Sequence, residues 1–406
     1  MANENESVIT SGTGLGWRMR LALRLMKRID TGRLTAVLPD GSRYEFEGEH
    51  PGPSANIKFS SDAFINRLIR GGDVGFAEGY MAGEWDTSNL CDLLHLFQLN
   101  EKALTPQILG AMFTSKLWRA IQHKWLRRNT RRGSRRNIEA HYDLGNDFYE
   151  LWLDPETWAY SSAVFERPDQ DLADAQRHKF DLLIDRLDLT AEHHMLEIGC
   201  GWGGFACYAA EKTGCKVTGI TLSSEQLAAA TERAEQAGLA DRVSFRLQDY
   251  RDVKEVYDRV VSIEMYEAVG EAYWNGYFAT IRNALVPGGL AVIQAITIKQ
   301  DLFDQYRDGV DFIQKYIFPG GMLASPEIFE STAAQQGLSS INPEFYGTHY
   351  AQTLRIWFER VHLVRKEVRS MFDERFLRMW FYYLAYCEAG FTSGSINLMQ
   401  TTLKRD

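Results

Sequence analysis

The chain has 406 residues, 45% hydrophobic and 24% charged, and its 45 Lys and Arg against 54 Asp and Glu leave a net charge of −9. That length suits two or three globular domains, and the acidic balance excludes a protein that binds polyanions by bulk charge. Five cysteines (Cys91, Cys200, Cys207, Cys215 and Cys387) fall in no metal-ligand spacing, and their odd number excludes a complete disulfide framework.

The opening MANENES is polar and acidic, unlike a secretory leader, and no apolar run reaches the roughly 20 residues of a membrane span. The expected location is cytoplasmic, peripheral on the inner face of the membrane. Leu15 to Ile29 predicts an amphipathic helix with Trp17, Leu21, Leu25 and Met26 opposite Arg18, Arg20, Arg24, Lys27 and Arg28. Such a helix either lies on an anionic membrane or packs on its own domain. Gly32 to Phe46 alternates as a hairpin turning at Pro39-Asp40-Gly41. Residues 1–110 thus read as a small α+β accessory domain without a catalytic constellation. Residues 111–137 are a basic linker: nine Lys or Arg and no acid fall between Lys116 and Arg136, interleaved with Trp118 and Trp125. Clusters of this kind attract anionic lipid head groups at about 1 kcal/mol per charge. A solvated linker helix is the plain alternative, and nucleic acid is set aside because the rest of the chain repels it.

Residues 138–406 alternate strand and helix. Strands are predicted at 195–199, 216–220, 243–247, 258–263 and 290–296, with helices near 203–213, 223–237 and 271–286 between them. The fold class is therefore α/β, a parallel Rossmann-like sheet with helices on both faces. Ligands of such sheets sit beyond the carboxyl ends of the strands. The relevant loops are Gly199–Gly204, Thr221–Gln226, Gln248–Asp252, Glu264–Gly270 and Gln294–Thr297.

The first of these loops carries G-x-G-x-x-G in Gly199, Gly201 and Gly204, between a strand and a helix. The motif suits dinucleotides and S-adenosylmethionine alike. A dinucleotide fold puts an acid at the end of the second strand for the ribose. This chain has Thr221 there, followed by LSSEQ, so the dinucleotide reading weakens. Glu197, just before the glycines, is the acid that methyltransferase glycine motifs place near the ligand's ammonium group.

Several segments together resemble the cyclopropane-fatty-acid synthase family, which includes the mycolic acid cyclopropane synthases. They are HYDLGNDFYELWLDP (141–155), YSSAVF (160–165), EIGCGWGG (197–204), GITLSSEQ (219–226), LQDYRD (247–252), EMYEAVG (264–270), KYIFPGG (315–321) and YYLAYCEAGF (382–391). The resemblance implies transfer of a one-carbon unit from S-adenosylmethionine to the cis double bond of an unsaturated membrane phospholipid, closing a cyclopropane ring. It implies cofactor contacts at Tyr160, Ser161, Glu197, Gly199, Cys200, Gly201 and Trp202. It adds Thr221 and Gln226 at the ribose, and Asp249 and Tyr250 near adenine. It also implies a homodimer, and a bound bicarbonate that takes the proton. Around that anion it places Glu267, Tyr350, Ile296, Cys387 as a pocket residue, Gln294 and Ser162.

Two of these positions depart from the family strings. Ser162 stands where YSCA has its cysteine, and Gln294 where the fifth strand often has His. Ala268 also follows Glu267 where His is common. Ser and Gln still donate hydrogen bonds to an anion, but Gln cannot relay a proton. Ring closure is affected more than methyl transfer, so a C-methyltransferase leaving a methyl-branched or methylene chain stays open beside the cyclopropane synthase. A catalytically silent lipid- or S-adenosylmethionine-binding protein is the third reading.

Overall fold

A computed structural model of the chain describes residues 16–104 and 144–406. The predicted basic linker lies outside the described residues. The chain forms two compact units, Met1–Ile121 with Arg365–Ser393, and Gln122–Val364 with Gly394–Asp406.

In the first unit, Trp17–Met26 is helical as expected, but a different face is buried. Met19, Ala22 and Leu23 pack inward, whereas Trp17 and Leu21 are exposed. The 19, 22, 23 spacing is itself a helical stripe, so the sequence offers two apolar faces and tertiary packing selects one. The hairpin forms as predicted from β1 (Thr31–Val37) and β2 (Arg43–Glu47), with Gly41 at φ 86° in the turn. With β3 (His50–Phe59) and β4 (Trp85–Asp86) they make a sheet of order β2-β1-β3-β4. Buried Asn100 accepts from the Asp30 and Thr31 N–H groups and donates to the Thr31 and Leu96 carbonyls, tying the helix Leu90–Leu99 to β1.

The sequence reading places residues 365–393 with the catalytic domain; by compactness they cluster with this first unit. The helix Glu374–Thr392 is held by Arg378, whose guanidinium lies 3.9 Å from the Tyr80 ring centroid and donates to the Tyr80 and Trp85 carbonyls.

The second unit contains a seven-stranded sheet of order β10-β11-β9-β8-β5-β6-β7. Its strands are β5 (His194–Ile198), β6 (Lys216–Thr221), β7 (Val243–Leu247), β8 (Tyr257–Ile263), β9 (Leu285–Ile298), β10 (Leu338–Phe345) and β11 (Ile396–Arg405). Strands β5 to β9 pair in parallel, and β11 runs antiparallel to both β9 and β10. The chain leaves β5 toward β6 on one side and returns to β8 on the other, so the strand order reverses at β5, where open α/β sheets hold ligands. Both faces are covered: Leu196, Ile198 and Val260 join one apolar cluster, and Met195, Val217 and Val261 the other. No described helix is long and apolar enough to cross a membrane.

Candidate active site

The glycine turn follows β5 directly. Gly199 and Cys200 donate their N–H groups to the Ile220 carbonyl, which stitches the turn to the end of β6. Gly199, Gly201 and Gly203 adopt φ of 82°, 52° and 77°, a region that side chains disfavour. A Cβ on Gly201 would meet nothing within 4 Å, whereas one on Gly204 would lie 2.0 Å from the Thr157 carbonyl oxygen. Gly201 therefore leaves space for a ligand, and Gly204 permits close packing at the start of the helix Gly204–Thr213.

Glu197 is buried at the end of β5, and burial pushes its carboxyl up to about 8. Its Oε2 has no hydrogen-bond partner among the described residues, as expected of an acid awaiting a ligand's ammonium group. Ser161, also buried, accepts from the ammonium of Lys179 at 2.7 Å. Thr221 donates to Gln226 at 2.8 Å at the end of β6. Trp202 donates to Asn146 at 2.7 Å, and its ring packs on Tyr149, which also packs on Tyr160. Asp249 is clasped by the Arg251 guanidinium at 2.6 and 2.8 Å, and the adjoining Tyr250 packs on Tyr277. The open turn, the orphaned Glu197 oxygen and this polar rim fit S-adenosylmethionine.

Beyond β8 and alongside β9 lies a pair of carboxyl groups. Glu267 Oε1 accepts from the Ile296 N–H, and its Oε2 has no partner among the described residues. Burial, with the neighbouring Glu264, pushes Glu267 up to about 8, which favours its neutral form. Glu264 is the centre of the cluster. Its Oε1 accepts from the Ser162 N–H at 2.9 Å and from Gln294 Nε2 at 2.7 Å, and its Oε2 accepts from the Tyr350 hydroxyl at 2.5 Å. Gln294 is oriented by Gln400, which donates to its carbonyl oxygen at 2.8 Å. Burial raises the Glu264 carboxyl, while Tyr350, Ser162, Lys179 and Gln294 pull it back toward the ionised form. Lys179 is itself fully buried and lowered to about 8 by desolvation, against the attraction of Glu264, Asp154 and Glu197. The segment 160–165 is fixed by the helix Gly347–Leu363, where Thr353 accepts from the Ala163 N–H at 3.1 Å and His349 from the Phe165 N–H at 3.1 Å.

Of the residues that the sequence reading set around a bicarbonate, Ser162, Gln294 and Tyr350 meet on Glu264, and Ile296 meets Glu267. Cys387 is half-buried on the helix Glu374–Thr392 of the first unit. Two residues of the cluster were missed. Glu264 was read only as the start of a loop, with Glu267 as the anchoring acid. Lys179 resembled an ordinary helix lysine, although Leu172, Gln176, Lys179, Leu183 and Leu187 fall on one buried stripe.

The model of the mycolic acid cyclopropane synthetase family matches residues 129–401. The chain is 42% identical to the tuberculostearic acid methyltransferase of Mycobacterium tuberculosis over 95% of this chain and 91% of that one. It is 35% identical to the cyclopropane-fatty-acyl-phospholipid synthase of Escherichia coli K12 over 86% and 88%. Among solved structures, mycolic acid cyclopropane synthase CmaA1 complexed with SAH and CTAB is similar at a TM-score of 0.63 and 30% identity, covering 67% of this chain and 98% of that one.

Proposed function

We propose that this chain, which belongs to the mycolic acid cyclopropane synthetase family, methylates the cis double bond of an unsaturated acyl chain in a membrane phospholipid, leaving a methyl-branched or methylene alkene. The supporting observation is the polar cluster beside the glycine turn, in which Ser162, Gln294 and Tyr350 converge on one carboxylate. Similarity to a tuberculostearic acid methyltransferase along nearly the whole chain supports the same reading.

S-adenosylmethionine is the cofactor; when bound it supplies an electrophilic methyl group, whose carbon–sulfur bond breaks with the electron pair left on sulfur as the alkene's π pair bonds to carbon. Glu197, Ser161, Thr221 and Gln226 are the chain's means of holding it, with the open backbone at Gly199 and Gly201. An alkene is a weak nucleophile, so the reaction requires alignment and exclusion of water. The rings of Tyr149, Trp152, Tyr160 and Trp357, with centroids 5.3–5.7 Å apart in the pairs they form, make a dry wall on this side of the site. Methylation leaves a positive charge on an acyl carbon. A preorganised carboxylate in low dielectric stabilises that charge and is available to receive a proton.

Proton loss from a chain carbon next to the cation gives a methyl-branched alkene directly; a methylene chain forms when a hydride first moves from the methylated carbon to the cation and a proton is then lost from the methyl group. Ring closure demands instead that the base take a proton from the new methyl group while the cation is still on the neighbouring acyl carbon. Gln294 in place of a proton-relaying His favours the simpler elimination. Ring closure is the second reading, supported by the Ile296 N–H donation to Glu267, two residues that the family resemblance implies, and by the similarity to the Escherichia coli cyclopropane-fatty-acyl-phospholipid synthase.

Incubation with methyl-labelled S-adenosylmethionine and phospholipid vesicles tests the assignment. Label is expected in an unsaturated phospholipid and not in its saturated counterpart; label in neither supports a silent binding protein instead.

A further inference from the structure

We infer that the carboxylate of Glu264 occupies the place of the bicarbonate implied by the family resemblance, and is itself the base that takes the proton from the methylated acyl chain. The inference rests on the methyl-transfer reading above and names the residue that completes it.

The donors expected around bicarbonate are already committed to enzyme carboxylates. Ser162, Gln294 and Tyr350 donate to Glu264, and the Ile296 N–H donates to Glu267. An added anion would lie against the Glu264 charge in a low-dielectric setting, where like charges exclude one another. Bicarbonate therefore does not fit.

The backbone gives an independent reason. Glu264 has φ 52°, in the left-handed region that non-glycine residues rarely adopt. Its N–H donates to the Gln294 carbonyl at 2.8 Å, continuing the β8–β9 ladder one residue past its end and holding that conformation in place. A strained residue whose carboxylate is held by three donors points to function rather than packing.

A carboxylate has about four lone-pair sites. The Ser162 and Gln294 bonds fill both on Oε1, and the Tyr350 bond fills one on Oε2. One site on Oε2 remains to receive a proton. Gln294 suits this arrangement better than His would, because an amide donates at every pH and Gln400 fixes which way it points. In the step, a C–H bond of the methylated chain breaks, its proton goes to Glu264 Oε2, and its electron pair becomes the new carbon–carbon bond that cancels the positive charge. Release of one proton to solvent resets the residue.

The test compares the wild type, Glu264→Gln and Glu264→Gly in buffer stripped of carbon dioxide and in the same buffer with bicarbonate restored. Wild-type turnover should be the same in both. Glu264→Gln should lose about 10²–10⁴-fold in turnover while S-adenosylmethionine binding by calorimetry stays within a few-fold. Glu264→Gly, which suits the left-handed backbone, should regain turnover as formate or bicarbonate is added. The carbon-13 line of labelled bicarbonate should broaden with Glu264→Gly and stay sharp with the wild type. Wild-type turnover that falls without bicarbonate and returns with it would overturn the inference. So would broadening by the wild type that Tyr350→Phe abolishes. These wild-type measurements hold whether or not the variants fold. The line width also needs no turnover: a wild type that methylates no lipid in either buffer defeats the proposed function, while the line still decides what fills the anion place.

Discussion

Replacing Tyr350 with Phe removes one hydroxyl and keeps the ring, with its edge contact to Trp357 at 6.3 Å between centroids. The lost bond is the 2.5 Å donation to Glu264 Oε2. Tyr350 is only 6% exposed, so solvent has poor access to replace it. A hydrogen bond to a charged group contributes about 1.5–3 kcal/mol. Its loss shifts the balance between carboxylate and carboxylic acid by about 10- to 150-fold toward the acid. A base must be ionised to act, so the acidic limb of the kcat/KM profile should move to higher pH. Well above that limb the rate should approach that of the wild type, because Ser162 and Gln294 still hold the carboxylate. The assay is methyl transfer to unsaturated phospholipid across pH, with S-adenosylmethionine affinity measured alongside. An unmoved limb, or an equal loss at every pH, would refute the reasoning that Tyr350 acts through the ionisation of Glu264.

Glu267 titrates near 8 in the folded protein against an ordinary value near 4.5. Between those pH values the unfolded chain has lost this proton and the native state keeps it, so stability falls as pH rises, by up to about 1.4 kcal/mol per pH unit. Glu267→Gln should flatten that decline in denaturant titrations from pH 5 to 8; an unchanged slope would mean the carboxyl is ionised in the native state. Gly204→Ala drives a Cβ to 2.0 Å from the Thr157 carbonyl oxygen and should cost about 1–3 kcal/mol, seen as a lower Tm and weaker S-adenosylmethionine binding by calorimetry. Neutralising Arg127, Arg128, Arg131 and Arg132 should weaken sedimentation with anionic vesicles in a salt-dependent way. Unchanged sedimentation would return that stretch to a solvated linker.

Strands β5 to β8 begin and end within a residue of the sequence reading, because each is a short segment with buried apolar residues that gives way to a loop. Strands β10 and β11 were missed for a physical reason. Residues 398–403 of β11 are buried without interruption and β10 is largely exposed, so neither shows the alternation that marks a half-buried strand. The clustering of residues 365–393 with the first unit comes from packing of the helix Glu374–Thr392 on elements far away in sequence, among them Arg378 on Tyr80. The glycine turn was legible because its chemistry is local. Glu264 was not, because the motif EMYEAVG directs attention to Glu267, and neither a positive φ nor three converging donors can be seen along a chain. Lys179 did carry a signal, a charged residue on an otherwise buried helical stripe.

The most direct measurement is proton NMR of the lipid formed from an unsaturated phospholipid and S-adenosylmethionine. An Oε2-directed elimination predicts new olefinic and branched-methyl or methylene signals with no upfield ring methylene. Upfield cyclopropane signals would contradict the product assigned here, and unchanged lipid would contradict the activity itself.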